Sequence, residues 1–99
     1  MIYVSRTATI APGKLPAATV FAREVAGYIK TATGVEVKIG MPIGGNPHRI
    51  SWFSQHESLA AYEATTSKIL SDAKYLEIIG KAAEYFVAGS LHDDIHRLI

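Results

Sequence analysis

No cysteine occurs anywhere in the 99 residues, which excludes disulfides, thiolate metal sites and cysteine nucleophiles together. Any chemistry must come from His, Arg, Tyr, Asp, Glu and Ser. Long apolar runs are missing too, and the opening stretch MIYVSRTATI has neither the charged start nor the apolar block of a secretory signal. A cytoplasmic protein without membrane spans is the expectation. Neither sign of charge is in excess: the net charge is +1, and the basic residues from Lys14 to Arg97 are scattered. Such a surface has no footprint for nucleic acid. Phosphate loops, a Ser-His-Asp order and catalytic carboxylate pairs are also absent, so phosphate transfer and nucleophilic hydrolysis drop out. There are no internal repeats and no low-complexity segments.

What the chain does have is apolar residues, 48% of the total, in ordered patterns. Its length fits a single domain spanning residues 1–99. A domain of this size buries roughly 60–70% of the surface its unfolded chain exposes. That leaves apolar surface without a home inside a monomer, and self-association is the simplest way to cover it.

The order of the patterns is βαββαβ. Ile2 to Ile10 alternates Ile2, Val4, Ala8 and Ile10 against Tyr3, Ser5, Thr7 and Thr9, as a strand with two unlike faces does. Arg6 interrupts the apolar side. Pro12 and Gly13 end this strand, and Pro16 suits the first turn of a helix. From Ala17 to about Ala32, Phe21, Val25, Tyr28, Ile29 and Ala32 recur at helical spacing. Gly34 suits the left-handed exit, and Gly27 within the helix suggests close packing on the sheet.

Val35, Val37, Ile39 and Met41 alternate with polar residues as a second strand. Pro42 to Pro47 forms a loose turn, and Arg49 to Gln55 returns as a third strand. Ser58 is placed to cap a helix through Leu70. Ser71 and Asp72 predict a break, and a further helical section runs from Ala73 to Phe86. The tail from Asp94 to Ile99 alternates as a fourth strand. The expected fold class is α+β, a ferredoxin-like two-layer sandwich with a four-stranded antiparallel sheet and helices on one face.

Three stretches carry a resemblance: Ala11-Pro12-Gly13-Lys14 closing the first strand, His48-Arg49-Ile50-Ser51-Trp52-Phe53, and Ser58-Leu59-Ala60-Ala61-Tyr62-Glu63. Together they resemble the dimeric α/β-barrel superfamily, nearest to its NIPSNAP-like and antibiotic-biosynthesis-monooxygenase-like members. The resemblance implies a homodimer in which two sheets join back to back, with helices outside and a cavity in each half. It leaves the reaction open, since the superfamily spans cofactor-free oxygenases, haem-degrading enzymes, decyclases and proteins without known activity. The residues agree on the dimer: Tyr3, Val4, Trp52, Phe53 and Leu98 occupy both strand parities and cannot all hide beneath two helices.

His92-Asp93-Asp94-Ile95-His96 is the one metal-like cluster. On a helix the two histidines would share a face; on a strand they lie about 13 Å apart and cannot share an ion. The alternation favours the strand, so no metal site is expected, and Asp93 and Asp94 read as solvated turn residues. His92 or His96 as a haem ligand is a remaining option, but no cofactor is the expectation. His48 and Arg49, after the glycine turn, could hold an anionic substrate or could be a solvated loop. His56 beside Glu57 could be a general base or a surface pair.

Tyr3, Trp52 and Phe53 could line a pocket for an aromatic ligand, or could serve the core or an interface. Arg6 within an apolar strand face needs a ligand or a partner, with Glu36 or Asp94 as the ion-pair candidates. The functional expectation is a homodimeric barrel that binds a small, partly aromatic molecule between sheet and helices, acting as a cofactor-independent oxygenase or isomerase. His48, His56 or His96 would handle protons, and Arg6 or Arg49 would neutralise an enolate or carboxylate. The rival is a non-catalytic binding or assembly module.

Overall fold

A computed structural model describes all 99 residues. Strand β1 (Ile2–Thr9) is followed by helix α1 (Leu15–Thr33), strands β2 (Lys38–Gly40) and β3 (Arg49–His56), helices α2 (Leu59–Leu70) and α3 (Ala73–Ile79), a 3-10 turn (Ala82–Glu84) and strand β4 (His92–Arg97). The four strands form one antiparallel sheet in the order β2-β3-β1-β4. This is the ferredoxin-like order, in which two crossing connections carry the helices to one face. No helix is long and apolar enough to cross a membrane.

The period-2 pattern of β1 decides which face is covered. Ile2, Val4, Ala8 and the following Ile10 are buried and face the helix layer. They meet the stripe Ala18, Phe21, Ala22, Val25 and Ala26 of α1, whose spacing of three and four keeps one helical face apolar. Ile50 of β3 is 0% exposed and clusters with Ile10, Ala18 and Ala22. A second cluster joins Phe21 and Val25 to Ile69, Tyr75 and Ile78 from α2 and α3. β4, by contrast, is exposed at every residue and forms a charged edge.

Caps fall where their residue types demand. Gly34 has φ 79° and its N–H returns to the Lys30 carbonyl. Ser58 accepts from the Ala61 N–H at 3.1 Å, and Asp72 accepts from the Tyr75 N–H at 3.0 Å, which fixes the break between α2 and α3.

α1 begins at Leu15, two residues before the expected Ala17, because Pro16 is accommodated inside the first turn. β2 pairs only over Lys38–Gly40; before it, the Val35 N–H turns back to the Thr33 hydroxyl at 3.2 Å and the chain crosses between layers. The helical section after Ala73 ends at Ile79, and Phe86 instead bridges to Ile10. The fourth strand starts at His92 and stops at Arg97, so Asp93 and Asp94 are strand residues and not turn residues. Gly27 is exposed and a Cβ there would meet nothing within 4 Å, so close packing is not why glycine stands there.

Candidate functional site

Between the sheet and the helices lies a cavity of about 410 Å3, a size within the range of small-molecule sites, about 300–1,000 Å3. Of its twenty-four lining residues seventeen are apolar, the two tyrosines counted among them, so the few polar groups would orient a ligand. They come from five segments of the chain. Arg6 enters from β1, Ser54 and His56 from β3, Tyr62, Thr65 and Thr66 from α2, and Tyr75 from α3. Ser90 closes the set from the segment before β4; its hydroxyl accepts from the Thr9 N–H at 3.0 Å.

Arg6 sits at the break in the apolar side of β1, and the register places it between Trp52 on β3 and Asp93 on β4. Its Nε and Nη2 donate to the two Asp93 oxygens at 2.6 and 2.7 Å. The partner is therefore Asp93, not Asp94 or Glu36. Side chains of directly opposed strand residues share a face, and Asp93 rather than Asp94 lies opposite Arg6. The hydrogen bond raises Arg6 above its ordinary value and holds Asp93 below the usual carboxylate range, so both stay charged at neutral pH. The side chain of Arg6 remains 43% accessible, and its positive charge reaches Tyr75 and Tyr62.

His56 ends β3 and is 7% exposed. Its Nε2 lies 3.0 Å from the Ser54 hydroxyl, and its ring meets Tyr62 edge-on with centroids 5.0 Å apart. Desolvation pushes the imidazole below its ordinary value, which leaves it neutral and able to accept a proton at neutral pH. Burial raises the Tyr75 phenol while Arg6 draws it back down. Trp52 forms part of the wall against Phe86, with centroids 5.7 Å apart.

Of the residues singled out in the sequence, the structure brings Arg6, Trp52 and His56 to this cavity. It does not bring the others there. Tyr3 and Phe53 stack on the opposite sheet face with centroids 6.0 Å apart. His96 pairs with Tyr3 on that same face. His92 is exposed there, with Nε2 3.2 Å from Asp94; on a strand, it and His96 stand about 13 Å apart along the chain. His48 and Arg49 are exposed at the hairpin end. Ser54, Tyr62, Tyr75 and Asp93 were missed. Ser54 shares parity with Trp52 and His56, a signal already in the sequence, whereas Tyr62 and Tyr75 had only the helical spacing of core residues.

No protein-family model matches the chain, and no curated protein does. Solved structures do match. An uncharacterised NIPSNAP domain protein from Burkholderia xenovorans superposes with a TM-score of 0.85 at 13% identity, over 100% of this chain and 95% of the other. A NIPSNAP family protein of unknown function from Agrobacterium tumefaciens gives 0.83 at 18% identity, over 99% and 87%. A Nitrosomonas europaea protein provisionally named an antibiotic biosynthesis monooxygenase gives 0.75 at 16%, over 100% and 99%. The chain has the ferredoxin-like fold of the NIPSNAP and antibiotic-biosynthesis-monooxygenase-like proteins.

Proposed function

We propose that this protein is a homodimer that binds a small, partly aromatic molecule in the cavity between sheet and helices, and acts on it without a cofactor as an oxygenase or isomerase. The observation that carries the reading is the convergence of Arg6, His56 and Tyr75 on one largely apolar cavity. Trp52 and Phe86 supply aromatic surface for a ring. His56, neutral at pH 7, accepts a proton from an acidic C–H or O–H of the ligand. The N–H groups that Asp93 leaves free on Arg6 then donate to the oxygen on which negative charge develops, and the proton gained by His56 keeps the cavity neutral overall. The outer sheet face, where Tyr3 and Phe53 stack amid polar and charged side chains such as Ser5, Gln55, Lys38 and Asp94, supports the dimer, because a second copy would cover the aromatic pair.

Non-catalytic binding is the second reading, and one observation favours it: His56 hydrogen-bonds to Ser54 and not to a carboxylate, so nothing negative strengthens it as a base. Native mass spectrometry of gently purified protein tests the proposal. A dimer retaining a small organic mass that is lost in Trp52→Ala is expected, and a monomer would remove the barrel. No turnover of the retained compound by the unaltered protein would favour the binding module, and turnover that survives His56→Gln would remove His56 as the base.

A further inference from the structure

The charge balance of the cavity narrows its ligand. Asp93 engages Nε and Nη2 of Arg6 in a two-point contact, which is strong and geometrically specific. A guanidinium has five N–H donors; two are taken by Asp93, and the remaining N–H groups, those of Nη1 above all, stay available. Donor capacity thus remains while net charge does not. His56, the other titratable nitrogen in the lining, is pushed toward its neutral form by burial, and no Lys, Asp or Glu lines the cavity.

A carboxylate entering this space would give up much of its water with no uncompensated cation to meet it, and would stand beside the negative Asp93. Burying a charge without a partner is strongly unfavourable, whereas a carbonyl or hydroxyl oxygen needs only a donor.

Resting on the cavity reading above, we propose that the site selects an uncharged aromatic ligand, held by a carbonyl or hydroxyl oxygen at the free edge of Arg6, and rejects the corresponding carboxylate. Asp93 is the specificity-determining residue, because it cancels the charge of Arg6 without using up its donors.

The test uses two probes of one shape, 2-acetylnaphthalene and 2-naphthoate, titrated into the full-length protein. Trp52, the single tryptophan of the chain, lines the cavity, so its indole N–H resonance reports occupancy without assignment of other signals. The ketone is expected to bind at least roughly tenfold more tightly than the carboxylate, about 1.4 kcal/mol. Asp93→Asn, nearly isosteric and on the exposed edge strand, should tighten naphthoate by roughly tenfold and shift the ketone little. Arg6→Met should weaken the ketone. Naphthoate binding as tightly as the ketone in the unaltered protein, or an unchanged preference in a folded Asp93→Asn, overturns the inference and leaves the cavity reading standing. If neither probe moves the Trp52 resonance, the cavity reading itself fails and the inference with it.

Discussion

Truncating Ile50 measures how rigidly the core beside the cavity is built. This side chain is 0% exposed, beside Ala18 and Ala22 of α1, which are themselves fully buried. Trp52, two residues on along the same face of β3, packs on the cluster that Ile50 belongs to. Ala18 and Ala22 cannot swing into a hole, because they have no atoms beyond Cβ, and closing it from the other side would pull Ile10 or Trp52 out of its own packing. A cavity left at Ile50 therefore stays largely open, and the cost should fall toward the upper part of the usual range. For Ile50→Val that is about 1–1.5 kcal/mol, and for Ile50→Ala about 3–5 kcal/mol.

A domain of this length loses about 4–8 °C of Tm per kcal/mol, so Ile50→Val should melt roughly 4–12 °C lower. Ile50→Ala should lose a large share of a total stability of about 5–15 kcal/mol. The assay is urea unfolding at fixed protein concentration, with the slope m unchanged across variants. Ile95→Val is the control, since Ile95 is 47% exposed and such changes cost within about 0.5 kcal/mol. An Ile50→Val cost no larger than that of Ile95→Val would refute this packing argument.

Other perturbations probe separate links. Gly27→Ala should stabilise the protein by about 0.5–1 kcal/mol, because the helix gains a better former and the added Cβ meets nothing; a lowered Tm would mean that a contact has been overlooked. Burial pushes His56 below its ordinary 6.5, so the unfolded chain binds this proton more readily than the folded one. Stability from His56 is complete above about that value and drains as pH falls toward the folded pKa. Melting curves between pH 5 and 8 should show that decline in the unaltered protein and a shallower one in His56→Gln. Asp72 is held below the usual carboxylate range by the Tyr75 N–H and the Tyr28 hydroxyl. Its stabilising effect is present at neutral pH and lost as pH falls through the lowered folded pKa, and Asp72→Asn should lower Tm at pH 7 and flatten the acid limb.

Alternation and capping made most of the architecture legible. The parity of Ile2, Val4, Ala8 and Ile10 identified the buried face of β1, and Ser58, Asp72 and Gly34 marked helix ends through chemistry confined to a few neighbouring residues. Arg6 stood out because its charge broke that parity. Its partner did not, because whether Asp93 or Asp94 opposes Arg6 depends on the register between β1 and β4, which are separated by nearly the whole chain. The shortening of β2 had a similar origin: Val35 and Val37 alternate as a strand should, yet they are needed to cross from the helix layer and to line the cavity. Tyr62 and Tyr75 looked like core aromatics, and only the packing of α2 and α3 over the sheet turns them toward Arg6. His48, Arg49 and His96 had the right chemistry for a site, but His48 lies in the hairpin loop, and strand parity turns Arg49 and His96 to the outer face.

If the space between sheet and helices is a ligand site whose polar end is Arg6, a crystal structure of the protein grown with 2-acetylnaphthalene will show the ring against Trp52 and Phe86, with the ketone oxygen within hydrogen-bond distance of Arg6 Nη1 and the Asp93 contact intact. A ligand seated instead on the Tyr3 and Phe53 face, or a cavity closed by its own side chains, would contradict it.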